Sequence, residues 1–360
     1  MNFAKNLQKS TALFNVCTGN ANMKKLLLAP LLLAFCLPSL AESYRTLDQV
    51  SPAYQEAAKM LKMDFADPNV RENAQKQNIQ RANESYQPTA HWTVPAQGSQ
   101  PAVELYVYKP KSVAGKLPVI YYIHGGGYIL GNAKAAGDNL QAIAEANKAA
   151  VISVEYRLAT VAPFPADLND AYHGLSYVYK NAGKLGLDKE KVVLMGESAG
   201  GGLAARLALF TRDKGEFTPE GQVLIYPMLD YRTGTPESPY DTKNLGEFLW
   251  TESANRLGWA TLRGNQTISD EQLPYFSPAF AKKLSGLPRT YMMVGDLDLF
   301  VAEDLNYASR LIQAAVPTEL QVFPGLFHAF EAFNKDGKQT KEYEQSRNQA
   351  IQEMFSHPVK

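Results

Sequence analysis

Cysteine is almost missing from this chain: 360 residues carry two, Cys17 and Cys36, both near the N-terminus. A surplus of one charge is missing as well, since 36 Lys and Arg face 36 Asp and Glu with no basic cluster. That balance argues against nucleic acid as a partner. No internal repeat, long charge run or low-complexity segment interrupts the chain, and its length suits one large domain or one with a small insert. Neither Gly-x-Gly-x-x-Gly nor a glycine loop ending in Gly-Lys-Ser/Thr occurs, which weakens a nucleotide-binding reading. Histidine is scarce too, with five residues: His91, His124, His173, His328 and His357.

Among what is present, the N-terminus stands out. Met23-Lys24-Lys25 precedes an apolar stretch over 26–37, then Pro38-Ser39-Leu40-Ala41 and Glu42. A basic start, an apolar run and a small-x-small site read as a secretory signal peptide cleaved after Ala41. The run is short for a transmembrane helix, and Pro30 interrupts it. Phe35 before Cys36 is too bulky for lipoprotein processing. The expected location is therefore secreted or periplasmic, with no stable membrane insertion after cleavage. Residues 1–22 read as an unused upstream start, with Met23 the initiator. Cleavage removes four lysines, no acids and both cysteines, leaving 32 bases against 36 acids and no disulfide or free thiol.

From residue 117 onward, continuous apolar runs alternate with helix-like stretches. Strands are expected at 119–123, 151–156, 192–195, 223–226, 290–294 and 319–323. Helices are expected at 139–147, 168–181, 203–212, 303–314 and 341–355. This rhythm predicts an α/β fold with a doubly wound, mostly parallel central sheet and helices on both faces. Runs at 90–94 and 103–108 flank a turn and read as an antiparallel hairpin on one edge. Two regions break the rhythm. Residues 42–88 read as two amphipathic helices, and 230–278 as a long aromatic insert. Both are expected to form a helical cap on a catalytic domain spanning 89–360. The last strand, 319–323, offers an open edge, compatible with a monomer or a homodimer.

The chemistry concentrates in three places. Gly196-Glu197-Ser198-Ala199-Gly200 joins a strand candidate to a helix candidate, so Ser198 sits at the apex of a sharp turn whose flanking glycines relieve crowding. His124-Gly125-Gly126-Gly127 directly follows another strand. Backbone N–H groups of Gly126 and Gly127, with that of Ala199, are candidates to bind an oxyanion, while His124 and Gly125 support the loop. Of the histidines, His328 follows the last strand and is the candidate base for Ser198. The partner acid is expected after the 290–294 strand, where spacing alone leaves Asp296 and Asp298 equal and the loser serves as a turn residue. Glu303 and Asp304 fall in the next helix's first turn, where carboxylates suit the dipole. Tyr128 and Trp250 are candidates to line a substrate pocket. No metal or organic cofactor is called for.

Taken together, these motifs resemble the hormone-sensitive-lipase-like branch of the α/β-hydrolases, the bacterial family IV esterases, over nearly all of 106–330. Tyr156-Arg157-Leu158-Ala159 with Pro163-Phe164-Pro165-Ala166, and Tyr226-Pro227-Met228-Leu229-Asp230, extend the likeness. The resemblance implies an α/β-hydrolase fold and a serine carboxylesterase or lipase, and the aromatic, apolar insert suggests short-to-medium acyl esters. It puts the catalytic acid on Asp298 and the base on His328. Thr160-Val161-Ala162, Leu299 and Glu197 depart from the family's usual residues without removing a catalytic group. An amidase, lactonase or deacetylase would share the same triad, and a binding protein could share the scaffold. N-terminal sequencing of the exported protein is expected to begin at Glu42; a start at Met23 would refute the cleavage reading.

Overall fold

Val, Ile, Leu and Tyr recur in runs that alternate between two buried faces, and this period of two builds the molecule. The computed structural model describes residues 44–61 and 63–356; the signal-peptide reading, Cys17, Cys36 and His357 lie outside them. Strands β1 (Ala90–Val94), β2 (Val103–Tyr108), β3 (Leu117–Ile123), β4 (Ala150–Glu155), β5 (Leu187–Glu197), β6 (Gly221–Ile225), β7 (Arg289–Gly295) and β8 (Thr318–Phe323) form one sheet. Its order is β1-β2-β4-β3-β5-β6-β7-β8. The β1–β2 and β2–β4 pairs are antiparallel and the others parallel, with Ile123 opposite Gly196 and Glu197 opposite Ile225. Because β3, β5, β7 and β8 run the same way, the loops that follow them all open at one edge of the sheet.

Each face of the sheet is covered by helices. Val119, Tyr121, Ile123 and Leu194 pack with Leu168, Ala171 and Leu175 of α4 (Ala166–Leu185) and Leu203 and Leu207 of α5 (Ala199–Lys214). The intervening Ile120, Tyr122, Val193 and Met195 pack with Leu140 and Ile143 of α3 (Gly137–Asn147) and Ile351 and Met354 of α9 (Lys338–Ser356). Each fully buried aliphatic side chain contributes about 1.5–3 kcal/mol, so the sheet is a stiff base for its loops. Among the described residues, no helix is long and apolar enough to cross a membrane.

Residues 44–88 differ from the expected pair of amphipathic helices. They hold a five-residue α1 (Gln55–Lys59) and a seventeen-residue α2 (Pro68–Glu84), and α2 buries fully only Ala82. Polar contacts replace an apolar stripe: Asp67 caps α2 by accepting from the Asn69 N–H at 2.8 Å. The Gln75 side chain accepts from the Gly131 N–H at 3.1 Å. The 230–278 stretch carries α6 (Glu252–Arg263) and the short α7 (Leu273–Phe276).

These two segments hold each other. The Leu249 N–H donates to the Leu61 carbonyl at 3.0 Å, and Ser253 Oγ donates to Asp64 Oδ1 at 2.9 Å. The Phe65 and Trp250 rings lie 5.9 Å apart. Glu247 accepts from the Arg45 N–H at 2.8 and 3.0 Å, from the Thr46 N–H at 2.9 Å and from Thr46 Oγ1 at 2.8 Å. Burial raises this carboxyl's proton affinity, but the bonds from Arg45 and Thr46 outweigh it and hold Glu247 below its ordinary range. The associated stability is present above the unfolded glutamate's titration and is lost as pH falls through the folded one. Glu247→Ala should lower unfolding free energy in urea at pH 7 by about 1.5–3 kcal/mol, with the gap to the parent protein narrowing as pH falls. A gap that does not vary with pH would contradict this account.

Candidate active site

At the end of β5 the chain turns within one residue into α5. Ser198 occupies the turn with φ 56° and ψ −122°, a backbone state that costs a non-glycine residue about 1–3 kcal/mol. Its neighbours hold it there: the Ser198 N–H donates to Ile225 O at 2.9 Å, and its carbonyl accepts from Met228 and Gly202 at 3.0 and 2.9 Å. A Cβ at Gly196 would lie 2.1 Å from the Gly200 carbonyl oxygen, and one at Gly200 would lie 2.2 Å from that of Ile123. Both positions of the Gly-x-Ser-x-Gly motif therefore accept only glycine in this turn.

Three side chains predicted from separate motifs meet here. His328 Nε2 lies 2.9 Å from Ser198 Oγ, and His328 Nδ1 lies 2.7 Å from Asp298 Oδ2. A carboxylate only accepts, so the proton sits on Nδ1 and Nε2 is free to accept from the serine hydroxyl. Asp298 is fully buried, and its Oδ1 accepts from the Phe300 N–H at 3.0 Å. Asp296 instead accepts from the Gly325 N–H at 2.7 Å, a turn contact one loop away from the imidazole. The rings of Tyr226 and Phe300 meet His328 edge-on at 4.7 and 5.3 Å, fixing its plane.

The glycine loop lies beside the serine: a Cβ at Gly125 would sit 3.3 Å from that of Ser198. Among the described residues, the Gly126 and Gly127 N–H groups have no acceptor within the chain. Ala199 is the first residue of α5, so its N–H lies outside the intrahelical ladder. His124 braces the loop from beneath, its Nδ1 donating to the Gly125 carbonyl at 2.8 Å and its ring stacking on Tyr156 at 4.4 Å. Burial pushes His124 down to about 4, against the opposing pull of that carbonyl, so it stays neutral at ordinary pH.

One expectation needs correction. Tyr128 is fully buried; its hydroxyl donates to the Met228 carbonyl at 3.3 Å, and its ring lies 4.9 Å from the Arg206 guanidinium and 5.3 Å from Trp259. Both its polar end and its ring are engaged by the protein, so it supports the loop rather than lining a pocket. Glu303 and Asp304 fall in the first turn of α8 (Val301–Gln313), as expected, and both are buried. Glu303 accepts from the Leu229 N–H at 2.7 Å and from Thr233 Oγ1. Burial pushes both carboxyls well up, and Glu303's charge adds to the effect on Asp304.

Trp250 does reach the site. A Cβ on Gly127 would lie 2.0 Å from its ring, and that ring is 6.4 Å from His328. Phe65 packs behind Trp250, and the serine itself is 6% exposed. The buried Arg206–Asp167 pair beneath Tyr128 was missed. Its sequence signal was a single charge inside the apolar run Leu203-Ala-Ala-Arg-Leu-Ala-Leu-Phe210. Phe65 was missed as well, having no motif around it.

The chain is similar to known proteins of one fold. The family described as alpha/beta hydrolase fold matches residues 120–332. An alpha/beta hydrolase of Acanthamoeba polyphaga mimivirus is 30% identical over 234 residues, covering 64% of this chain and 66% of that protein, just under two thirds of its length. The carboxylesterase NlhH of Mycobacterium tuberculosis is 32% identical over 234 residues, covering 64% of this chain and 72% of that one. Among solved structures, a bacterial heroin esterase superposes with a TM-score of 0.79 at 33% identity, covering 86% of this chain and 99% of that one.

Gly127 (φ 61°) has neither the space nor the backbone state for a side chain. Gly127→Ala should slow labelling of Ser198 by a fluorophosphonate by about 100-fold or more while circular dichroism stays unchanged. Labelling at the parental rate would show that this loop takes no part in the chemistry.

Proposed function

The chain belongs to the α/β-hydrolase family, in the hormone-sensitive-lipase-like branch of carboxylic ester hydrolases, and on that premise we propose that it is a serine carboxylesterase acting through an acyl-enzyme. The observation that carries the reading is the unbroken hydrogen-bonded line from Ser198 through His328 to Asp298, at 2.9 and 2.7 Å. Ser198 Oγ attacks the ester carbonyl as His328 Nε2 takes its proton, and Asp298 stabilises the imidazolium. The carbonyl oxygen becomes an oxyanion received by the N–H groups of Gly126, Gly127 and Ala199. Each such donor is worth about 10²–10³ in rate. His328 then returns the proton to the departing alcohol. Water, activated by the same imidazole, frees the acid.

Substrates on this reading are small-molecule esters with short-to-medium acyl chains. The Trp250 ring against Gly127, backed by Phe65, supports that limit by setting a bulky aromatic beside the glycine loop. Export with cleavage after Ala41 belongs to the same proposal.

Hydrolysis of p-nitrophenyl esters from acetate to palmitate tests the reading. An optimum at short chains is expected, with Ser198→Ala lowering kcat by about 10⁴-fold or more in a folded protein. Turnover in that variant at the parental rate would sink the scheme. Trp250→Ala should move the optimum toward longer chains; an unmoved optimum would remove Trp250 from the acyl side.

A further inference from the structure

Behind His328 lies a buried polar cluster that this mechanism leaves unused. Glu331 sits in the short turn Phe330–Ala332, three residues after the imidazole. One carboxyl oxygen accepts from the Tyr226 hydroxyl, and the other is buried with no hydrogen-bond partner. The Tyr226 ring that makes this bond is the one lying edge-on against His328 at 4.7 Å. Tyr226 itself is held at φ 35°, a strained state for a non-glycine residue. Its N–H donates to the Met293 carbonyl at 2.6 Å.

The groups facing Glu331 come from every element around it. Glu197, at the end of β5, accepts from Tyr122 of β3 at 2.9 Å. Tyr343 of α9 faces both carboxyls, and the buried Arg347, which faces Glu197, donates to the Tyr343 hydroxyl at 3.3 Å. Tyr226 and His328 complete the set. With Asp298, three carboxyls and one guanidinium therefore lie around the imidazole and its neighbours. Among the described residues Glu331 forms no ion pair with Lys or Arg, and one of its oxygens has no hydrogen-bond partner. Asp298 is the direct partner of the His328 imidazolium, and the charge of Glu331 adds to that stabilisation from behind Tyr226.

Resting on the serine-esterase reading above, we propose that Glu331 is a positioning residue for His328: through Tyr226 it fixes the imidazole's plane, and its buried carboxylate adds to Asp298's stabilisation of the imidazolium formed as Ser198 attacks. No proton passes through Glu331. The Ser198 O–H bond breaks, the bond from that proton to His328 Nε2 forms, and Glu331 acts by its charge alone. Burial, and after it the charge of Glu197, pushes Glu331 up to about 7, against the bond from Tyr226 and the attraction of His328. It is therefore neutral in mild acid and charged in mild base, and its help to His328 grows across that interval.

The test is the pH profile of kcat/KM for Glu331→Gln with p-nitrophenyl acetate. Glutamine keeps the shape and can still accept from Tyr226, but it carries no charge. At pH 8, kcat should fall about ten-fold with KM nearly unchanged, and the acid limb should move to lower pH. Below about pH 6, where the parental Glu331 is already protonated, the two profiles should converge. A purely structural role would give a ratio constant at every pH, and that result would overturn the proposal. Should Glu331→Gln fail to fold, Tyr226→Phe keeps the ring and the carboxylate but removes their bond. That variant's deficit should be largest near neutrality and narrow, without vanishing, at higher pH as Glu331 ionises; a pH-independent ratio there would also refute the proposal. Activity surviving in Ser198→Ala would refute the serine reading instead, so the two failures are distinguishable.

Discussion

Everything at the site depends on one strained residue. Ser198 stands in a left-handed backbone state at the end of a central strand, and nothing local would keep it there. It is held because β5 lies between β3 and β6 and because the Ile225 and Met228 backbones bond to both sides of the turn. The same strain lifts the hydroxyl clear of the sheet and aims the first N–H groups of α5 at the space beside it. The sheet supplies the rigidity; the glycines at 196 and 200 let the chain fold tightly enough to use it.

Around this turn the protein accumulates buried charge, and each case is handled differently. Asp298 is satisfied by a backbone N–H and by His328. Asp167 is paired with Arg206, which also faces the Tyr128 ring and so steadies the glycine loop. Glu303, despite its hydrogen bonds, and Asp304, which has none, are driven toward the neutral acid by burial. Glu331 falls between these cases, near enough to the imidazole to matter and poorly enough paired to titrate near neutrality. A neutral His124 and a hydrogen-bonded His328 within one site show how burial and partners divide the roles of chemically identical rings.

Much of the framework was legible because its physics is local. The strand expected at 223–226 is observed at Gly221–Ile225, and the helix expected at 303–314 at Val301–Gln313. Continuous apolar runs between helical stretches have few other ways to bury themselves. Where polar residues enter an element, the reading shortened it: β5 begins at Leu187, but Asp188-Lys189-Glu190-Lys191 hides its first half. Residues 44–88 resisted for the opposite reason. Their polar side chains bond to other parts of the chain, as Gln75 does to Gly131, and such bonds leave no periodic trace.

By itself, the sequence determined the alternation of strand and helix, the tight turn around Ser198, the glycine loop after His124 and the placing of a histidine after the last strand. These follow from side-chain period and from residue sizes a few positions apart. Folding in three dimensions decided the rest. It chose Asp298 over Asp296 by bringing one carboxylate within 2.7 Å of His328 and giving the other to Gly325. It laid Trp250 over Gly127, turned Tyr128 inward onto Arg206 and set Glu331 behind the imidazole. Those outcomes depend on distances between residues far apart along the chain, and packing, not spacing, sets such distances.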